Sequence, residues 1–235
     1  MCGRTALTAS PEDLRDAFGL DDLPEIDPHY NVPPSRPVAV VRVVRAGAGR
    51  KLEALRWGLV PTWAKDPKIG SKLALARAET VASTAAFRDA FRSRRCLVAV
   101  NGFYEWHRHG KDPSAPFFVR RADGSPFALA GLWSRWHSPD GEVLESCAIV
   151  TQAAGAALAA IHDRMPLVLE PEVWDRWLDP GLTDPVALAD LLTPRTPPGA
   201  SQLVAHAVGP HVNDPRHDDA GCLEPATEPA QRSLF

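Results

Sequence analysis

A cysteine occupies position 2 of the chain, in the stretch MCGR. An initiator methionine is removed when the next residue is small, and cysteine is small. Removal exposes a 1,2-aminothiol. A model α-amine titrates near 7.7 and a lysine near 10.4, so at pH 7.5 roughly 40% of the α-amine is neutral, against about 0.1% of a lysine. The natural target of such a group is an aldehyde. The amine forms an imine, and the thiol two carbons away closes a five-membered thiazolidine, a closure with an effective molarity of about 10⁵ M or more. The competing reading of MC alone is a chance thiol beside a frayed terminus.

Three further stretches offer proton or anion chemistry. In GFYEW, residues 102–106, extended backbone puts Phe103, Glu105 and His107 on one face and Gly102, Tyr104 and Trp106 on the other. Glu105 is then either a rim charge or a carboxylate held in a partly apolar site, where it suits proton transfer. In HDRMP, residues 162–166, His162 follows an apolar helical stretch. It is a helix C-cap or a group that exchanges a proton near neutral pH. In ARAET, residues 76–80, Arg77 and Glu79 share a face if the segment is extended, as an ion pair or as an anion clamp with its positioning carboxylate. Trp57 and Trp63 lie in or beside a loop marked by glycine and proline, where a ring can stack on a base. Trp174 and Trp177 are three apart on a helix and read as core. Arg88 and Arg92, at helical spacing, read as a solvated face.

The elements that position these residues follow from the pattern. Ser10 caps a helix that starts at Pro11 and runs through EDLRDAF. PVAVVRVVR reads as a strand, and a GAG turn leads to its hairpin partner KLEALRW. Thr84 is expected to cap a second helix over AAFRDAFRS. RCLVAV, GFYEWHR, PFFVRR, FALAGLW and EVLESCAIVT follow as strands. GAALAAI is a short helix, HDRMP a loop and PLVL a strand; PEVWDRWL and DPVALADLL are helices. Many strands without regular strand–helix alternation predict one α+β domain. Its mostly antiparallel sheet curls into a barrel with helices packed outside.

Composition sets limits. Of 235 residues, 45% are apolar, enough for a sizeable core, and the net charge is −3. Residues 209–235 carry two basic and five acidic residues, which leaves a body with 24 of each sign. A neutral body can still hold a basic cleft. No apolar run spans a bilayer, and the first twenty residues lack the apolar core of a signal peptide, so no membrane role and a cytoplasmic location are expected. The four cysteines (Cys2, Cys96, Cys147 and Cys222) include no CxxC pair, and Cys96 and Cys147 sit in apolar runs that read as core. His206, His211 and His217 lie near the polar tail, but no metal or cofactor is expected. From Gly209 the chain, rich in Pro, Asp and His, reads as partly disordered.

MCGR, YNVPPS (30–35), WGLVPTW (57–63), ARAET (76–80), GFYEW (102–106) and HDRMPLVL (162–169) occur in that order. Together they resemble the SRAP (SOS response-associated peptidase) family over roughly residues 2–208, with 209–235 as a tail. The resemblance implies a monomer that binds abasic sites in single-stranded DNA, in association with chromosomal DNA. It implies a covalent thiazolidine between the N-terminal cysteine and the ring-opened sugar aldehyde. By motif, Cys2 is the nucleophile, Glu105 assists proton transfer, and His162 stabilises the sugar and moves protons, including on reversal. Arg4, Arg77 and Arg164 hold flanking phosphates, Asn31 and Pro34 shape the cleft, Trp63 packs against bases, and Thr151 lines the pocket. One departure stands out. The resemblance implies an asparagine on the sugar where this chain has Leu75, which cannot make that hydrogen bond. Two other readings therefore stay open: a Cys-dependent peptidase limited to Met1, and a non-covalent single-strand-binding module.

Overall fold

Alternating residues along a single stretch of chain, Ala39 and Val41 against Val38 and Val40, fall into two separate apolar clusters. That split defines the architecture. The computed structural model describes residues 3–45, 47–107, 115–193 and 202–226. In chain order the strands are β1 (Arg4–Leu7), β2 (His29–Val32), β3 (Pro37–Arg42), β4 (Lys51–Trp57), β5 (Leu75–Arg77), β6 (Arg95–Val100) and β7 (Gly102–His107). They continue with β8 (Ala115–Arg121), β9 (Phe127–His137), β10 (Val143–Ala153), β11 (Arg164–Pro166), β12 (Val168–Leu169) and β13 (Leu203–Ala207). The helices are α1 (Pro11–Phe18), α2 (Arg88–Ser93), α3 (Ala156–Ala159), α4 (Pro171–Leu178) and α5 (Pro185–Leu191).

Five strands close a ring. β3 pairs antiparallel with β4 and β6, β6 with β9, and β9 with β10. β10 then runs parallel to β4, with Ser146 opposite Arg56 and Cys147 opposite Trp57. Closure removes the unpaired edges that an open sheet would expose. β5 and β11 extend from β10, and β12 extends from β9. A second, fully antiparallel sheet has the order β13-β8-β7-β1-β2. The expected α+β domain with a barrel-like, mostly antiparallel sheet is present, with two parallel pairings, of β10 with β4 and with β5, that strand patterning did not reveal.

Val40, Leu55, Trp57, Cys96, Val98, Leu129, Cys147 and Ile149 form one cluster, with Phe103 and Val119 from the second sheet packed against it. The alternate residues Val41, Leu97, Ala99, Ala130, Ala148 and Val150 join a cluster with Leu14, Phe18, Phe91, Trp174 and Trp177 from the helices. The period of two in each strand thus serves two cores. Cys96, Cys147 and Trp177 are fully buried and Trp174 nearly so, as their sequence settings suggested. Burial pushes the Cys147 thiol up to about 12.

α1 forms where expected. The Ser10 hydroxyl accepts from the Asp13 N–H, Pro11 opens the helix, and Gly19 ends it at φ 59°, a left-handed conformation that costs glycine little. α2 differs: it starts at Arg88, and the Thr84 hydroxyl donates to Thr80 O at 2.9 Å instead of capping it. A turn fills the gap, in which the Phe87 and Arg88 N–H groups both reach Thr84 O. HDRMP is not all loop, because Arg164–Pro166 pairs with β10. The expectation of partial disorder covers residues 209–235, of which 227–235 lie outside the described residues. Residues 209–226 include two 3-10 turns, Pro210–Asn213 and Ala220–Leu223, and Val212 and Cys222 are fully buried against Tyr104 and Phe118. Its few apolar residues are spaced to cover one face of the second sheet, which composition averaged over the segment conceals.

One buried arginine joins the helices to the barrel. Arg95, at the start of β6, donates from Nε to Trp177 O at 2.7 Å and from Nη1 to Phe91 O and Arg92 O at 2.8 and 2.7 Å. Its Nη2 reaches Asp179 O, and Leu182 O at 3.1 Å. A cation at the C-terminal ends of α2 and α4 complements both helix dipoles. Arg95→Met leaves these carbonyls without their donor and costs about 3 kcal/mol of stability. Urea unfolding of the two proteins checks this; a loss below about 1 kcal/mol would mean that water replaces the donor.

Candidate nucleic-acid interface

The second sheet sets Glu105. β1 and β7 pair antiparallel with Arg4 opposite Tyr104, Thr5 opposite Phe103 and Ala6 opposite Gly102. The next residue along β7 after the partner of Arg4 is Glu105. Glu105 is only 2% exposed. Alternation behaves as read. Phe103 joins the cluster at the barrel end, while Tyr104 and Trp106 join the cluster under the C-terminal segment. Glu105 therefore belongs to the barrel-side face. Cys2 lies outside the described residues.

A second group gathers at the C-terminal end of β10. Parallel pairing sets Thr151 opposite Arg77, and antiparallel pairing sets it opposite Pro166. Arg164 donates from Nη1 to Glu79 Oε1 at 2.5 Å and from Nη2 to Glu79 Oε2 at 3.0 Å, a two-pronged pair. Its Nη2 also meets Thr151 O at 2.8 Å and Thr151 Oγ1 at 3.2 Å. Glu79 thus partners Arg164, which sequence spacing could not indicate, and Arg77 is exposed on its strand. The hydrogen bonds from Arg164 hold the Glu79 carboxyl below the ordinary glutamate range. A depressed carboxylate pKa means that the pair contributes fully above that range and fades as pH falls through the lowered value. At neutral pH the clamp is intact.

His162 stands beside this group. Its backbone N–H reaches Leu158 O at 3.0 Å after α3. The Arg164 N–H donates to His162 Nδ1 at 3.0 Å, and Asp163 Oδ1 lies 2.8 Å from the same nitrogen. The first contact suits a ring with a lone pair on Nδ1, and the second suits a proton there. Both states can be held, which fits a residue that exchanges a proton. Leu158 and Met165, which bracket His162, pack in the same cluster as Phe103, two residues from Glu105 on its face. That shared cluster relates the Glu105 strand to the His162 loop.

Arg4 and Asn31 come together on the opposite face of the second sheet. Arg4 Nη1 donates to Asn31 Oδ1 at 2.7 Å and to Val212 O at 2.9 Å, and Arg4 Cζ lies 5.6 Å from the Trp106 ring centre. Asn31 Nδ2 meets the carbonyls of Val212, Asp214 and His217 at 3.1, 3.1 and 2.9 Å. Both side chains hold the C-terminal segment in place. The sequence signal for this was the buried-size spacing of Val212 and Cys222, which the polar character of the tail obscured.

Pro34 sits in the turn between β2 and β3, where Ser35 takes φ 74° and donates its N–H to Trp57 O at 2.6 Å. That bond ties the turn to the WGLVPTW loop. Trp57 is buried, with its indole N–H on Ala74 O at 2.9 Å, whereas Trp63 is 55% exposed. Of the two loop tryptophans, only Trp63 offers an open ring. Leu75 pairs with Ile149 and packs partly against the barrel-end cluster, one residue from Ala76, which faces the helices. Leu75 and Arg77 thus share a face of β5.

Among the described residues, no helix is long and apolar enough to cross a membrane. A solved structure of a Bacteroides thetaiotaomicron protein superposes with a TM-score of 0.80 at 23% identity, covering 96% of this chain and 100% of that one. Abasic site processing protein YoqW of Bacillus subtilis is 38% identical over 95% of this chain and 99% of its own. Abasic site processing protein YedK of Escherichia coli is 32% identical over 96% of this chain and 100% of its own. The family described as SOS response associated peptidase (SRAP) matches residues 1–215. With that match laid over the closed barrel, the Glu105 strand and the His162 loop, the chain belongs to the SRAP family.

Proposed function

We propose that this protein processes abasic sites in single-stranded DNA by forming a covalent thiazolidine through Cys2 after loss of Met1. The relatives named as abasic site processing proteins support the substrate. The observation that carries the chemistry is the β1–β7 register, which sets buried Glu105 next along the strand from the partner of Arg4.

The ring-opened sugar presents an aldehyde. The α-amine of Cys2 adds to its carbon, the carbinolamine loses water, and the resulting imine accepts the thiol sulfur at the same carbon. The thiol proton ends on nitrogen, and one water leaves overall. Glu105 carries protons in sugar opening and in water loss. His162, able to hold either protonation state at Nδ1, serves the sugar oxygen and the reversal. Arg77 and the clamped Arg164 face the flanking phosphates, with Thr151 fixing Arg164. Arg4 serves this interface indirectly by anchoring the chain beside Cys2. Pro34 shapes the turn next to the loop that presents Trp63. The peptidase reading reduces to release of Met1, which prepares the nucleophile.

The test is a denaturing gel of purified protein with an oligonucleotide bearing one abasic site. A slow-migrating band is expected for the single strand. Its absence, with mass spectrometry showing Met1 removed, would leave the Met1 peptidase or the non-covalent binder as the better account. Leu75→Asn then asks whether that position is the cause, since it shares a face with Arg77.

Trp63→Ala provides a separate check on binding. Base stacking on an aromatic ring contributes about 1–3 kcal/mol, so affinity for single strands falls roughly 5- to 150-fold. The melting temperature stays close to wild type because the ring is exposed. Fluorescence anisotropy with a labelled strand reads the first, and calorimetry the second; unchanged affinity would remove Trp63 from the interface.

A further inference from the structure

We propose that His211, Asp219 and Cys222 form a binding site for a zinc-class cation that cross-links the two turns of the C-terminal segment and so stiffens it. No metal motif in the sequence announces it. The fold brings the three together, with one ligand atom from each lying within 4.8 Å of the others. His211 Nε2 lies 3.0 and 3.1 Å from the two carboxylate oxygens of Asp219. Tetrahedral zinc, with bonds of about 2.0–2.3 Å, sets its ligand atoms about 3.3–3.6 Å apart. The nitrogen and oxygen are already near that spacing, and the sulfur needs to move in by on the order of 1 Å.

The donor set selects the ion. Magnesium and calcium take oxygen ligands, whereas a thiolate, an imidazole and a carboxylate together suit zinc. Three protein donors leave a fourth position for water. The side chains of His211 and Asp219 are 39% and 60% exposed, so an ion has a path in. Cys222 is buried, so its sulfur forms the inner wall. On binding, the Cys222 thiol gives its proton to solvent as the metal–sulfur bond forms.

Neighbouring groups hold the donors. Asp219 caps the Ala220–Leu223 turn through the Gly221 N–H at 2.9 Å, so carboxylate and thiol belong to one short rigid unit. The His217 ring stacks on His211 at 3.9 Å, nearly parallel, and its Nδ1 lies 2.9 Å from His211 O. Such outer contacts fix ligand orientation and contribute to affinity. The same stretch supplies the carbonyls of Val212, Asp214 and His217 that Asn31 and Arg4 grip. A bound ion therefore stiffens the support on which Arg4 rests.

The experiment uses the full chain with Cys2→Ala, since an N-terminal aminothiol is itself a chelator. After chelator treatment and dialysis, titration calorimetry with Zn2+ should give one ion per chain, and the melting temperature should rise with Zn2+. His211→Ala and Asp219→Asn, both at half-exposed positions, should each weaken binding by about a hundredfold or more. Cobalt(II) should give a thiolate-to-metal absorption band that Cys222→Ser abolishes. No stoichiometric binding in the Cys2→Ala chain overturns the proposal, as does binding that His211→Ala leaves unchanged. If Cys222→Ser fails to fold, the His211 and Asp219 variants still decide.

Discussion

Cys2→Ala yields no stable covalent complex with abasic single-stranded DNA, whereas wild type yields a band that survives denaturation. Alanine is as small as cysteine, so Met1 is still removed and an α-amine is still present. That amine can form an imine, but an imine in water reverses. The thiol converts it to a ring, and closure within one molecule has an effective molarity of about 10⁵ M or more. The loss is therefore of persistence. Borohydride, which traps an imine by reduction, should recover a covalent band from Cys2→Ala. Heat denaturation without borohydride should not. A band of wild-type strength from untreated Cys2→Ala would refute the thiazolidine and move the chemistry to another amine. Mass spectrometry of both proteins confirms that they differ only at the side chain.

Glu105→Gln slows crosslinking by about 10²- to 10⁴-fold, the range expected when a positioned proton carrier is removed. Glutamine keeps the size and shape that the strand has accommodated at a site 2% exposed, and it cannot take up or deliver the proton. Affinity for intact single strands should be unchanged, because Glu105 sits on the barrel-side face with Phe103 and is not assigned to phosphates. Single-turnover rates from quenched time points, paired with anisotropy, separate the two. A rate within about twofold of wild type would exclude Glu105 from proton transfer. Equal losses in rate and affinity would instead make it a structural support.

Elements whose cause is local were legible in the sequence. Ser10, Pro11 and Gly19 specify α1 within ten residues of one another, and the hairpin of β3 and β4 follows from alternation around a glycine turn. Glu105 and Phe103 could be placed on one face because a strand has a period of two. Features made by distant pairing were not legible. The parallel seam of β4 and β10 joins two strands whose own patterns are indifferent to direction. Sequence spacing sets Glu79 beside Arg77, two residues away, and the fold gives it Arg164 as its hydrogen-bonded partner. The bonds from Arg4 and Asn31 to residues 212–217 join parts of the chain that only folding brings near. No spacing motif relates Cys222 to His211 and Asp219, which the fold sets beside it.

The bond from Arg4 to Val212 spans 208 residues. A ribosome adding about 5–20 residues per second needs roughly 10–40 s to make that stretch. For that interval the start of the chain has no finished seat, because the segment that receives Arg4 has not yet been made. The pairing of β1 with β2 and β7 can form before then, and the Arg4–Val212 bond is added only after residue 212 has been made. On the proposed reading, the order of manufacture lets Met1 leave before the C-terminal segment closes over Arg4.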